Sequence, residues 1–267
     1  MAKDNIIFYK FHGAGNDFVL VDNRNRRIFP EAEIEQLCRR RTGVGADGFI
    51  LLEDDPEGSD FRMRYFNADG REASLCGNGS RCVVAFARYL GIIGNDCRFR
   101  AFDGLHTATI EDQNEFHWWV SVSLHDVSEI ISHEDGFFLD TGSPHFVIFP
   151  EEEVNVVDFG RKFRYDARFD NGTNVDFIRI RENDIYVRTY ERGVEDETLS
   201  CGTGVTAAAI AFARKMGLGA GRHRIPVETP GGKLAVSFEI SNDRFTGITL
   251  SGPAVCVFRG EIKAENF

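Results

Sequence analysis

Two stretches decide the fold: Glu72-Ala73-Ser74-Leu75-Cys76-Gly77-Asn78-Gly79 and Glu197-Thr198-Leu199-Ser200-Cys201-Gly202-Thr203-Gly204. Both follow the frame E-x3-C-G-x-G, at an offset of 125 residues, and both run into a mostly apolar segment. Phe18-Val19-Leu20 has a counterpart in Phe146-Val147-Ile148, at an offset of 128. Self-similarity at a fixed spacing marks a duplicated unit. The chain therefore reads as two similar halves, each carrying one cysteine in front of one long helix.

Working outward from the frames, Asn78 to Leu90 is expected to be a helix ended by Gly91, and Thr203 to Met216 a second one stopped by Gly217. CVVAFARYL has hardly any polar face, which suits a helix buried on most sides. A third helix is expected over Pro30 to Arg41. Glu31 and Glu33 lie in its first turn, Arg39 to Arg41 in its last, and Ile34, Leu37 and Cys38 on its apolar face. Strands are expected at Ile6 to Phe11 and Phe18 to Val21, around the turn His12 to Asp17, and then at Phe49 to Leu52 and Phe61 to Phe66. In the second half they fall at Phe146 to Phe149, Phe177 to Ile180, Ile185 to Tyr190, Leu234 to Ile240, Phe245 to Leu250 and Ala254 to Phe258. Pro144, Pro226, Pro230 and Pro253 are read as loop punctuation. The class is mixed α/β, with one domain over 1–126 plus 253–267 and the other over 127–252. Two related domains facing each other form a cleft, where small-molecule sites concentrate.

Cys76 and Cys201 differ from Cys38, Cys82, Cys97 and Cys256, whose apolar contexts read as small buried hydrophobes. The glycines after Cys76 and Cys201 permit a sharp turn into the helix. Each thiol then sits at a helix N-terminus, where free N–H groups and partial positive charge favour a thiolate and seat a carboxylate. A single cysteine so placed is commonly a packing residue; two in matching frames point to a task that needs two. Inverting a carbon centre is such a task, because one base removes the proton and one acid returns it on the opposite face. Helix-terminal N–H groups stabilise the carbanion's charge as it spreads onto the substrate carboxylate.

The composition fits a soluble globular protein: 267 residues, 42% hydrophobic and 27% charged. A formal charge of −11 argues against nucleic acid and against anionic membrane surfaces. No apolar run reaches transmembrane length, and MAKDNIIFYKFHG has no secretory h-region, so the expected location is cytoplasmic with reduced thiols. No C-x2-C pair and no H-x3-5-H pair is present, so no metal site is expected. Gly43 to Gly48 matches G-x-G-x-x-G, but it follows a helix and opens a strand, the reverse of the dinucleotide fingerprint. Asn171-Gly172-Thr173 carries no glycosylation meaning in a cytoplasmic chain.

Seven blocks resemble the diaminopimelate epimerases: His12 to Asp22, GVGADG at 43–48, Phe66 to Cys82, GSPH at 142–145, Gly172 to Phe177, Tyr190 to Gly204 and TPGG at 229–232. The resemblance implies two α/β domains with strands wrapped around a central helix, no cofactor, no metal and a homodimer. It implies interconversion of LL- and meso-2,6-diaminoheptanedioate, a step of lysine biosynthesis that supplies peptidoglycan precursors. Cys76 and Cys201 match the acid/base pair. Asn16, Asn67 and Asn174 match amides that hold the distal end of the substrate. Arg192 matches the clamp on the distal carboxylate, a fork-to-fork contact. Gly77-Asn78 and Gly202-Thr203 match backbone donors to the reacting carboxylate, with Glu191 also among the substrate contacts. His145 and Glu191 match a pair that tunes the thiols. Ser143 stands where many relatives have Asn, and Gly48 where some have Gln, so neither is assigned a side-chain role.

Two other readings fit part of the pattern. One is a two-thiol racemase of proline or hydroxyproline, against which Asn16, Asn67, Asn174 and Arg192 speak, since proline has no distal charged end. The other is a non-enzymatic redox sensor in which Cys76 and Cys201 form a switchable disulfide.

Overall fold

A computed structural model describes residues 5–73 and 75–263. Residues 1–4 and 264–267 of the first expected domain, and Ser74 of its cysteine frame, lie outside the described residues. The chain divides into two compact units, Met1–Val122 with Gly252–Phe267, and Ser123–Ser251. The first crossing falls before residue 126 because the segment after Val122 already pairs within the second unit: Leu124 donates to Ile248, and Val127 bridges Phe245.

The first unit contains β1 (Ile6–Gly13), β2 (Asn16–Asp22), α1 (Glu31–Cys38), β3 (Gly48–Glu53), β4 (Phe61–Asn67), α2 (Gly77–Tyr89), β5 (Asp96–Ala101), β6 (Gly104–Asn114) and β7 (His117–Ser123). The second contains β8 (Ile131–His133), β9 (Gly136–Asp140), β10 (Pro144–Ile148), α3 (Val156–Arg164), β11 (Asn174–Ile180), β12 (Ile185–Glu191), β13 (Asp196–Thr198), α4 (Gly202–Met216), β14 (Gly221–Thr229) and β15 (Gly232–Ser241). The long last strand, β16 (Arg244–Ile262), pairs first with β15, then with β7 and finally with β1.

In the first unit the strands pair in sequence order from β1 to β7, and the end of β16 joins β7 back to β1, so the sheet closes on itself. Closure removes the sheet edges. Helix α2 fills the interior, with every residue from Asn78 to Ala87 buried. On β2, Phe18 and Leu20 face α2 while Val19 and Val21 face α1, and on β3 Ile50 and Leu52 alternate with Phe49 and Leu51 in the same way. A strand covered on both faces is apolar at every position, which explains the unbroken runs FVLV and FILL.

The second unit repeats this order. Strand β10 runs parallel to β11, which pairs antiparallel with β12, as β2, β3 and β4 do. Then β12 meets β14 in parallel, as β4 meets β5. Helix α4 buries Gly204 to Ala211.

Several expectations need correction. Helix α1 stops at Cys38, and Arg39 is already extended. The chain folds back there, and the Arg40 guanidinium leaves the helix to pair with Asp17 and Asp47. Three of the four prolines lie in strands. Pro144 is the first residue of β10, where its missing N–H costs least. Pro226 lies before the short β12–β14 pairing, on an otherwise open flank of β14. Pro253 sits inside β16 opposite Trp119, so the two expected strands there are one. Helix α3 is an addition to the expected elements; Asn155 caps it by accepting from Val157 and Asp158. Its mid-helix Gly160 looks like a breaker, but a Cβ there would meet Tyr190 Cβ at 2.3 Å. Among the described residues, no helix is long and apolar enough to cross a membrane.

Candidate active site

Each cysteine is the N-cap of its helix, and the two caps share one backbone conformation: φ −106°, ψ 115° at Cys76 and φ −108°, ψ 115° at Cys201. The first intrahelical bonds are Ser80 N–H to Cys76 O and Val205 N–H to Cys201 O, both 2.8 Å. The first N–H groups of a helix have no carbonyl of the preceding turn to bond, which is the arrangement that receives an anion.

The glutamate of each frame holds its cysteine loop. In the first unit Arg64 forks onto Glu72 at 2.8 and 2.9 Å. In the second, Arg188 forks onto Glu197 at 2.7 and 2.6 Å. A bidentate pair fixes orientation as well as distance. The loop from β4 or β12 therefore returns along its own strand and delivers the cysteine to the helix start.

Below Cys76 lies an amide. Ala14 and Gly15, at φ 52° and 82°, form a two-residue hairpin between β1 and β2 that places Asn16 at the head of β2. Asn16 Nδ2 donates to Asp47 at 2.8 Å, which turns Oδ1 toward Cys76 Sγ (3.7 Å) and Asn78 Nδ2 (3.4 Å). Asp47 is in turn held by Arg40, which also pairs with Asp17. Lys10 bonds to Gly45 O and to Asp17. Burial opposes ionisation of Asp17, but Arg40 and Lys10 outweigh it and keep its carboxyl below the usual range.

Arg81 lies on the next turn of α2 and is fully buried. It donates to Asn78 Oδ1 (2.6 Å), Gly77 O (3.2 Å) and Pro253 O (3.4 Å), and has no carboxylate partner among the described residues. Burial pulls its guanidinium down to about 10, while Cys82 and Cys76 act in the opposite direction.

Below Cys201 the chemistry differs. His145, on β10, places Nδ1 2.7 Å from Asp176 Oδ2 and Nε2 2.9 Å from Thr203 Oγ1. Both His145 and Asp176 are 0% exposed. Thr189 donates to the other carboxylate oxygen of Asp176 at 2.6 Å. Thr203 Oγ1 lies 3.4 Å from Cys201 Sγ. Burial pushes the Cys201 thiol up, with Glu191 and Asp176 adding to it, while Thr203 and the Gly204 N–H act the other way. A Cβ on Gly204 would meet Asp176 Oδ1 at 2.4 Å, so the last glycine of this frame admits the acid beneath it. The matching glycine, Gly79, faces only Ile50 Cδ1 at 3.1 Å, Met63 Cε at 3.4 Å and Cys76 Cβ at 3.5 Å.

The remaining candidates are placed as follows. Asn174 is buried at the head of β11; its Nδ2 donates to Ser143 Oγ and Pro144 O at 2.9 Å, and its Oδ1 accepts from Arg192 N–H at 2.8 Å. Arg192 follows β12 and reaches Asn171 O at 3.4 Å, with no carboxylate partner among the described residues. Glu191 ends β12, and Asn67 is exposed at the end of β4. Gly77-Asn78 and Gly202-Thr203 are the first residues of α2 and α4. Cys38, Cys82 and Cys97 are buried, and burial pushes all three thiols up, Cys38 and Cys97 to about 12. Gly48 leaves no room for a side chain, since a Cβ would meet Tyr65 Cε2 at 2.6 Å.

Sequence reasoning missed Asp176, Asp47, Arg81 and the hydroxyl of Thr203. Asp176 carried one usable signal: it is an acid inside the buried run Asn174 to Ile178.

The family model described as diaminopimelate epimerase matches residues 8–127 and 137–257. The chain belongs to the diaminopimelate epimerase family. Among curated diaminopimelate epimerases, that of Flavobacterium psychrophilum is 48% identical, over 95% of this chain and 99% of the relative. That of Aquifex aeolicus is 40% identical, over 97% and 98%. Solved structures share the fold at low identity. A PhzF-family phenazine biosynthesis protein of Bacillus anthracis superposes with a TM-score of 0.78 at 15% identity, over 97% of this chain and 99% of that one. A hydroxyproline epimerase of Agrobacterium vitis gives 0.72 at 15%, over 99% and 94%.

Proposed function

We propose that the protein interconverts LL- and meso-2,6-diaminoheptanedioate, with Cys76 and Cys201 as its two acid/base groups. The observation that carries this reading is the repeated helix cap: two thiols in one backbone conformation, each at the N-terminus of a buried helix. In this reading one thiolate removes the α-proton and the other thiol delivers a proton to the opposite face. The helix-terminal N–H groups of Gly77-Asn78 and Gly202-Thr203 hold the reacting carboxylate and take up the charge that develops on it. Arg192, which has no carboxylate partner among the described residues, holds the distal carboxylate, and Asn16, Asn67, Asn174 and Glu191 line the substrate. His145 and Glu191 set the balance of the thiols. The same reading makes this a cytoplasmic, cofactor-independent homodimer that serves lysine and peptidoglycan precursor synthesis.

The test is direct. Protein dialysed against chelator is incubated with LL-diaminopimelate under reducing conditions, and the stereoisomers are followed. Approach to a mixture of LL and meso isomers is expected. No turnover of this substrate contradicts the reading, and turnover of proline instead replaces it.

A further inference from the structure

The thiol of Cys201 poses a physical problem. It is only 9% exposed and faces two carboxylates, Glu191 on β12 and Asp176 on β11. Simple loss of its proton to solvent would add a third negative charge to a dry site, which is costly. The titratable groups that face it within the second unit are these two acids and, through Thr203, His145 on β10.

Hydrogen-bond direction follows from the donors and acceptors. As a carboxylate, Asp176 only accepts, and Thr189 already donates to its Oδ1. His145 Nδ1 therefore carries the hydrogen that points to Oδ2, and in the neutral ring Nε2 is an acceptor. Thr203 donates its O–H to Nε2, which leaves its oxygen to accept from the Cys201 S–H. The chain S–H···O–H···N, with N–H···O⁻ behind it, is continuous at 3.4, 2.9 and 2.7 Å.

We propose that Thr203, His145 and Asp176 form a proton relay that ionises Cys201 without changing the net charge of the site as a whole. The S–H and Thr203 O–H bonds break while a new Thr203 O–H and a His145 Nε2–H form. One proton moves from sulfur to the imidazole, and Asp176 steadies the imidazolium. The reverse transfer makes Cys201 an acid again. Asp176 is a positioning residue here: it fixes the ring tautomer, and an amide in its place turns the ring's acceptor nitrogen the wrong way. Gly204 belongs to the same device, because a side chain there would displace Asp176. The relay deepens the two-thiol reading, on which it rests for its purpose but not for its test.

The test is the pH profile of iodoacetamide alkylation of the full-length protein, resolved by mass spectrometry into the Cys201 and Cys76 peptides. Only the thiolate reacts. In Thr203→Val, the midpoint for Cys201 is expected to rise by about one unit or more, roughly a tenfold slower reaction at neutral pH. Asp176→Asn is expected to move it the same way. Thr203→Ser, which keeps the hydroxyl, is expected to restore the wild-type profile, and Cys76 is expected to keep its midpoint in all three. An unmoved Cys201 midpoint in Thr203→Val, a parallel shift at Cys76, or failure of Thr203→Ser to restore overturns the relay. Turnover is a separate readout. If the Cys201 shift appears in a protein that does not act on diaminopimelate, the substrate reading fails and the relay stands. Turnover of diaminopimelate without the shift overturns the relay and leaves the substrate reading in place.

Discussion

The two cysteine caps share a frame, a pair of backbone angles and an Arg–Glu fork, yet they rest on different chemistry. Cys76 lies above an amide network with a fully buried cation, Arg81. Cys201 lies above a buried imidazole and carboxylate. At the offset of 125 that aligns the frames, Asn78 becomes Thr203, Arg81 becomes Thr206 and Asn67 becomes Arg192. Even where the residues change, some bonds persist: Arg81 donates to Gly77 O, and Thr206 donates to Gly202 O at 2.9 Å. The two caps have equal geometry, and the side chains beneath them give the two thiols unequal surroundings. The proposed two-base reaction, in which one thiol removes a proton and the other returns one, has a use for that inequality.

The largest effects belong to the caps themselves. Cys76→Ala and Cys201→Ala are each expected to cost roughly 10³-fold or more in turnover with the fold intact, since each removes one of the two proposed acid/base groups. Circular dichroism and a stereoisomer assay check both points. Near-normal turnover in either variant would break the pairing of the halves.

Next is the asymmetry at the ends of β4 and β12. Arg192→Lys keeps the charge and loses the planar fork, and a misplaced substrate is expected to lower kcat/KM on the order of 10²-fold. Wild-type kinetics would remove Arg192 from the site.

The two glycines sharpen the comparison through stability. Gly204→Ala drives a Cβ onto Asp176 and is expected to cost about 1–3 kcal/mol, as overpacking does. Gly79→Ala meets only the flexible ends of Ile50 and Met63 and the neighbouring Cys76 side chain, and is expected to change stability by less than about 1 kcal/mol. Urea unfolding of both variants gives the difference; equal losses would mean that the two helix starts are packed alike. Smallest in catalytic effect is Cys82→Ala, a packing loss of about 1–2 kcal/mol with turnover per folded molecule unchanged.

Much of this was legible in the sequence, and the reasons are local. The C-G-x-G frames announce sharp turns, the unbroken apolar helices announce burial on all sides, and FVLV and FILL announce strands covered on both faces. The acidic first turn of α1 was legible as well, but its end was not, because Arg40 leaves the helix for Asp17 and Asp47, partners distant in sequence. Strands β5 to β7 were missed because their buried positions, such as Ala108 and Val122, alternate with polar residues over short stretches rather than forming apolar runs. Pro253 misled because it obeys a tertiary neighbour, Trp119, instead of a local rule. At the site, the cysteines and Arg192 stand in recognisable frames. Asp176 does not: its meaning depends on His145, 31 residues away and brought alongside only by the β10–β11 pairing.

The central claim, two bases on opposite faces of one carbon, is tested most directly by isotope incorporation. With LL-diaminopimelate in D2O, the proton removed by one cysteine is not the one returned by the other, and the returning thiol takes its hydrogen from solvent. Mass spectrometry at low conversion is expected to find deuterium at the inverted carbon of newly formed meso product, and little in recovered substrate. Substantial protium retained at that carbon would contradict the assignment of Cys76 and Cys201 as separate acid and base.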